Sequence, residues 1–349
     1  MRPTTYQYAT GRIWALEPKL LTFDRMERML DAETVQEALK ILSETEYGSK
    51  VSELSSPHDY EFLLASELRV LYEFIKTVTP DEELTDLFFI KYDVHNAKVL
   101  LKASFLGMED PEFLSEMGTL PLDKLRGTLE EAFKSDDSTD KENTDVLYSD
   151  LPEYLREPLK KIHEDYTLKK MIDPQHIDVA LDRAMYRYIF KVCREKRQTF
   201  MEAYFKREVD LINIRSLLRV KNIGADFTFA KEVFMPYGYI EEAMLEEAFE
   251  RSFDTVSDSF SSTMYFDVVD RGVKSLLSTN TFTEYERLSG NFLLDYVKSQ
   301  RGDFMGIQPI AGYILAKENE IENIRVIMVG KVNNIPADKI RERLRDTYV

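Results

Sequence analysis

Asp210-Leu-Ile-Asn213-Ile-Arg215-Ser-Leu-Leu218 is the stretch from which the rest of the sequence can be read. An acid stands three residues before an asparagine, a base two residues after it, and apolar residues at −2, +1, +4 and +5, the period of one face of a helix. The same pattern recurs at Asp93-Val-His-Asn96-Ala-Lys98-Val-Leu-Leu101 and at Glu320-Ile-Glu-Asn323-Ile-Arg325-Val-Ile-Met328. The asparagines are 117 and then 110 residues apart (96 to 213 to 323), each close to a third of the 349-residue chain. Composition alone predicts about 0.24 such acid–Asn–base triplets, so finding three marks an internal repeat.

On a wheel of about 100° per residue the four apolar positions cover roughly 40° to 160° from the asparagine, which makes that stripe a core face. Other matches extend the repeat. Eleven residues after each asparagine come Gly107, Gly224 and Asn334, residue types that tolerate the left-handed backbone ending a helix. Leu129-Glu-Glu-Ala-Phe133 returns as Leu245-Glu-Glu-Ala-Phe249, a shift of 116. Leu120-Pro-Leu-Asp-Lys-Leu-Arg126 returns as Ile335-Pro-Ala-Asp-Lys-Ile-Arg341, a shift of 215, which implies a third copy shorter by about 12 residues before its last helix.

The spacing therefore predicts an all-α protein of three similar helical units, 1–110, 111–226 and 227–349. Proline at prospective first helical positions agrees with this at Ser56-Pro57, Asp110-Pro111, Asp173-Pro174 and Ile335-Pro336. Only 13 glycines in the chain argue against a β-barrel or sandwich, which would use many more at its turns.

No pattern for chemistry emerges, and no catalytic, cofactor or metal residue is expected. Gly330-Lys331 is followed by Val332, with Arg325 where a phosphate-binding loop needs its first glycine. His58, His95, His163 and His176 never fall four apart, and the lone Cys193 makes neither a disulfide nor a thiolate cluster. In Ser135 to Asp145 the acids resemble a calcium loop, but Lys141 and Leu147 stand where glycine and the closing glutamate belong. The signature residues Asp93, Asn96, Lys98, Asp210, Asn213, Arg215, Glu320, Asn323 and Arg325 are expected to organise packing or caps within each unit. The alternative is that the three copies line one surface and meet one partner.

With 46 Lys+Arg against 63 Asp+Glu, the net charge of −17 repels nucleic acid and anionic lipid. The uncharged run from Ile307 to Ala316 is about half what a bilayer crossing needs, so a membrane role would require another protein to hold the chain there.

Three stretches carry a resemblance to a known family: Tyr8 to Leu21, Lys91 to Leu101, and above all Pro309 to Arg325 followed by Gly330-Lys331. They resemble the C subunit of prokaryotic V-type (A-type) ATPases and ATP synthases, equivalent to the d subunit of vacuolar ATPases. Where many relatives read Arg-Ile-Arg, this chain has Arg12-Ile13-Trp14. The resemblance implies three helical units around a pseudo-threefold axis, forming a funnel. It also implies a non-catalytic adaptor on the cytoplasmic face of the membrane, peripheral and without cofactor or small-molecule substrate. The implied partners are central-stalk subunits of the D and F type and the membrane rotor ring, with part of the acidity complementing basic surfaces on them. The competing reading is a helical-repeat scaffold unrelated to a motor.

Overall fold

The computed structural model describes residues 5–108, 111, 114–134, 146–169 and 173–349. Among these the chain is all-helical, with no strand. In chain order the α-helices are α1 (Tyr6–Leu16), α2 (Phe23–Asp31), α3 (Val35–Ser43), α4 (Gly48–Val51), α5 (Tyr60–Val78), α6 (Glu82–Asp86), α7 (Ile90–Leu106), α8 (Leu122–Lys134) and α9 (Glu153–Lys169). There follow α10 (Pro174–Glu195), α11 (Thr199–Asn222), α12 (Phe227–Val233), α13 (Glu242–Glu250), α14 (Phe266–Thr279), α15 (Thr283–Ser299), α16 (Gln308–Val332) and α17 (Ala337–Arg341).

The helix starts follow local side-chain chemistry. Pro174 is the first residue of α10, and the Asp173 carboxylate accepts from the Gln175 N–H, one of the donors a helix start leaves unpaired. Pro57 opens a short 3-10 turn ahead of α5, with Ser56 and Asp59 forming a capping box. Pro336 stands one residue before α17, as its N-cap. Residue 111 lies in no regular element, and Asp110 is outside the described residues.

The chain folds into two compact units. One is built from Asp86–Leu245, the other from Met1–Thr85 together with Glu246–Val349. In the first, α10 packs on α7, α9 and α11, around Leu155, Leu159, Ile177, Ile189, Phe190 and the buried Cys193, whose thiol burial pushes up to about 12. In the second, α16 is largely buried and packs on α1, α2, α3, α5 and α15. The half-exposed Trp14 of α1 faces the loop before α16, its ring centroid 6.5 Å from that of Phe304.

The three signature helices are α7, α11 and α16. Their predicted stripes are buried in every copy: Val94, Ala97, Leu100 and Leu101; Leu211, Ile214, Leu217 and Leu218; Ile321, Ile324, Ile327 and Met328. Burial of each large apolar side chain contributes about 1.5–3 kcal/mol, so these stripes hold the helices in place more than intrinsic propensity does.

Each of these helices also ends in the same way. Gly107, Gly224 and Asn334 have φ of 68°, 74° and 53°, in the left-handed region. The next N–H reaches back five residues, from Met108 to the Ala103 carbonyl, Ala225 to Val220 and Ile335 to Gly330, at 2.9, 3.2 and 2.8 Å. This is the Schellman closure, which satisfies carbonyls that a helix end otherwise leaves unpaired. A Cβ added at Gly224 meets nothing within 4 Å, so only backbone conformation resists it. Gly224→Ala is accordingly expected to cost about 1–2 kcal/mol in denaturant unfolding, whereas Asn334→Gly should be neutral or slightly stabilising.

Candidate functional site

The signature asparagines form one geometry three times. The Asn96 side chain donates to the Ser115 carbonyl at 2.7 Å and accepts from the Ser115 N–H at 2.8 Å. Asn213 grips Met235 in the same way, donating at 2.8 Å and accepting at 2.7 Å. Asn323 grips Arg345, donating at 3.0 Å and accepting at 2.9 Å. A carboxamide carries one donor face and one acceptor face, so it can replace both partners of a single backbone residue. The gripped residue is buried in the second copy and half-buried in the first and third, where its own N–H and C=O have reduced access to water.

The acids at −3 do a related task in two copies. Asp93 accepts from the N–H groups of Thr119 and Leu120, both at 3.0 Å. Asp210 accepts from Tyr239 and Ile240 at 2.9 and 3.0 Å. The carboxylate lies so close to the passing backbone that a Cβ on Gly118 would sit 1.9 Å from Asp93 Oδ1, and one on Gly238 would sit 2.0 Å from Asp210 Oδ1. Burial raises the Asp93 carboxyl above its ordinary value of 3.8, while hydrogen bonds from Tyr154, Thr119 and Leu120 pull it part of the way back.

Glu320 departs from this pattern. It accepts from the Leu21 N–H, from the Tyr47 hydroxyl at 2.7 Å and from Lys317 at 2.6 Å. Lys317 also bridges to Glu67 at 3.0 Å, and Glu67 pairs with Lys50. Two ammonium groups and two carboxylates thus neutralise one another in the interior. Burial works to raise Glu67, but Lys317 and then Lys50 outweigh it and hold the carboxyl below its ordinary 4.5. Burial works to lower Lys317, yet Glu320 and Glu67 push it up to about 12.

Two of the cations at +2 reach neighbouring helices. Lys98 of α7 pairs with Asp182 of α10. Arg325 of α16 pairs with Glu61 of α5 at 2.9 Å and with Glu322 at 2.7 Å. Arg215 is half-buried on α11.

These anchors fix the register between copies and correct two sequence matches. Ser115, Thr119 and Leu120 correspond to Met235, Tyr239 and Ile240, a shift of 120, and α8 and α13 begin 120 residues apart (122 and 242). Leu125 rather than Leu129 therefore matches Leu245, and the Leu-Glu-Glu-Ala-Phe identity lies one helical turn out of register. The segment Ile335 to Arg341 matches the entry to α12 rather than to α8: α12 and α17 begin at 227 and 337, each 14 residues after its asparagine. The inferred 12-residue loss before that helix does not stand, because the helix precedes the gripped residue Arg345 instead of following it.

Other candidate chemistry lies apart from the repeat. His163 is buried against Tyr148, and burial lowers its pKa below 6.5. An open groove of about 1120 Å³ between α9 and α10 carries polar side chains that meet one another, such as Lys169 with Asp165 at 3.9 Å and His176 Nε2 3.7 Å from Asp165. Among the described residues no group of His, Cys, Asp and Glu is placed to hold a metal. Residues 135–145, with their calcium-like spacing, lie outside the described residues.

What the side chains build is an all-helical scaffold in which buried polar groups bind passing backbone. Comparison with known proteins gives that scaffold a family: the ATP synthase (C/AC39) subunit family matches residues 9–343, and the chain belongs to it. It is 25% identical to the A-type ATP synthase C subunit of Methanocaldococcus jannaschii over 97% of this chain and 86% of that protein. It is 26% identical to the A-type ATP synthase C subunit of Halorubrum lacusprofundi, over 97% of both chains. The V-type sodium ATPase C subunit of Enterococcus hirae is 22% identical over 95% of both chains. The protein is thus a subunit of a rotary A/V-type ATPase, structural rather than catalytic, with partners in the same complex. Among the described residues no helix is long and apolar enough to cross a membrane.

Sequence reasoning singled out the asparagines and acids but missed Gly118, Gly238, Tyr47, Lys50, Glu67 and Lys317. The two glycines carried a signal, since each stands three residues after the gripped residue. Asn213→Leu leaves the buried N–H and C=O of Met235 without partners and is expected to cost about 2–5 kcal/mol in chemical denaturation. Glu67→Gln tests the charge cluster. Because the folded carboxyl lies below its unfolded value, its contribution is present above pH 4.5 and lost as pH falls through the folded pKa. The gap in unfolding free energy between wild type and Glu67→Gln should be about 3 kcal/mol near pH 6 and shrink steadily below pH 4.5.

Proposed function

We propose that the chain is the adaptor between the rotating central stalk and the membrane rotor ring of an A/V-type ATPase or ATP synthase. Its work is mechanical: it passes torque between the two and turns over no substrate. The observation that carries this reading is the threefold repetition of one anchored helix in a chain that matches the C/AC39 subunit family over nearly its whole length. Three units, one around each of α7, α11 and α16, are proposed to surround a common pseudo-threefold axis as a funnel. Its open side would receive stalk subunits of the D and F type and its narrow side would sit on the ring, at the cytoplasmic face of the membrane.

Physical arguments favour such a role. A part that passes torque must not yield under load, and close-packed helices have low compressibility. Every signature asparagine is taken up by backbone within its own compact unit, which favours stiffening over partner binding as the purpose of the repeat. An acidic protein can work beside a bilayer if it touches ring protein rather than anionic lipid.

Purification of the tagged chain from membranes in mild detergent tests the proposal. Recovery with central-stalk subunits and with the small membrane subunits of the ring is the expected result. Association with neither, or with proteins outside the complex only, would replace this reading with that of a free helical scaffold.

A further inference from the structure

We infer that α2, near the start of the sequence, serves as the final helix of the third repeat: the chain's own segment 20–32 fills a docking groove built by α16 and α17. Hydrogen-bond register carries this assignment, independently of the rotary reading.

In the first copy the signature acid accepts from the N–H of Leu120, two residues before the first residue of α8. In the second it accepts from Ile240, two residues before the first residue of α13. In the third the acid is Glu320, and the N–H it accepts from is that of Leu21, two residues before the first residue of α2. The register continues into the helices. Their fourth residues, Leu125, Leu245 and Met26, are all buried. A tyrosine hydroxyl from further along the chain completes the shell of the acid in the first and third copies, Tyr154 on Asp93 and Tyr47 on Glu320, both at 2.7 Å.

The third copy then holds α2 along its length. At its start stands Glu320. At its middle, Arg341 of α17 makes a forked contact with Glu27 at 2.8–3.1 Å and reaches Asp31 at 3.4 Å. At its end, the Lys331 ammonium donates to the carbonyls of Leu30 and Ala32, where a helix leaves acceptors unpaired and favours a cation. Asn323, which grips Arg345, also lies 3.5 Å from Met26 Sδ.

One difference among the copies goes with side-chain length. Gly118 and Gly238 stand two residues before the anchored N–H, where a Cβ would strike the short aspartate. Lys19 occupies that place before Leu21, and the acid there is a glutamate, one methylene longer, approaching a segment that arrives from the other end of the sequence. Leu21 and Glu320 are 299 residues apart, so the contact joins distant parts of the chain and acts as a strap closing the third repeat.

Native-state hydrogen exchange on the full-length protein, read by mass spectrometry, tests the strap. Residues 20–31 are expected to exchange as slowly as the core of α16, despite their place near the chain start. Glu320→Gln should speed exchange of 20–31 at least tenfold while leaving α11 unchanged. Because Glu320→Gln disturbs the buried charge cluster, the double variant Lys331→Met, Arg341→Gln supplies a second arm at less buried positions, with the same expected loosening of 20–31. If 20–31 exchanges like a frayed terminus in the wild type, or if neither variant changes its rate relative to α11, the strap is overturned.

Discussion

A chain segment that packs across the core-facing side of a helix brings an N–H and a C=O into a place poor in water. Each repeat answers this constraint with a buried asparagine, and the remaining architecture follows from where that asparagine must stand. It has to sit on the edge of the apolar stripe, so that the helix stays in the core while the carboxamide reaches the passing backbone. It also has to face a segment returning along the helix, which demands a sharp stop eleven residues later, supplied by Gly107, Gly224 and Asn334. Asparagine, cap and returning segment are thus one device. Removing the asparagine leaves polar groups of the gripped residue without partners, at about 1–3 kcal/mol each.

Much of this was legible in the sequence because it is local. The acid, asparagine and base lie within six residues, the stripe repeats with helical period, and the cap stands at a fixed distance. All-helical architecture followed from these residues, and the resemblance to the C subunit of A/V-type ATPases from Tyr8–Leu21, Lys91–Leu101 and above all Pro309–Arg325. What was not legible is what depends on distant segments. Glu320 looks like a conservative replacement for aspartate, yet its partners Leu21, Tyr47 and Lys317 differ in kind from those of Asp93 and Asp210. The register of α8 against α13 was misread because an identity of five residues on amphipathic helices can slip by one turn and still present a similar face. The backbone groups held by Asp93, Asn96, Asp210 and Asn213 fix it.

The interval between asparagine and gripped residue is 22 in the second and third copies and 19 in the first (213 to 235, 323 to 345, 96 to 115). The anchor geometry is the same in all three copies although the first interval is three residues shorter. In the second and third copies the interval includes a short helix, α12 or α17, that begins 14 residues after the asparagine.

Trp14, the sole tryptophan, lies on α1 in the unit that joins the two ends of the sequence. Its emission therefore reports on that unit alone, and the unit of Asp86–Leu245 is silent to it. An unfolding curve recorded by tryptophan fluorescence can be a single clean transition even if the two units melt separately. Calorimetry or far-ultraviolet dichroism, which sample every helix, are the measurements that would reveal whether the protein has one melting temperature or two.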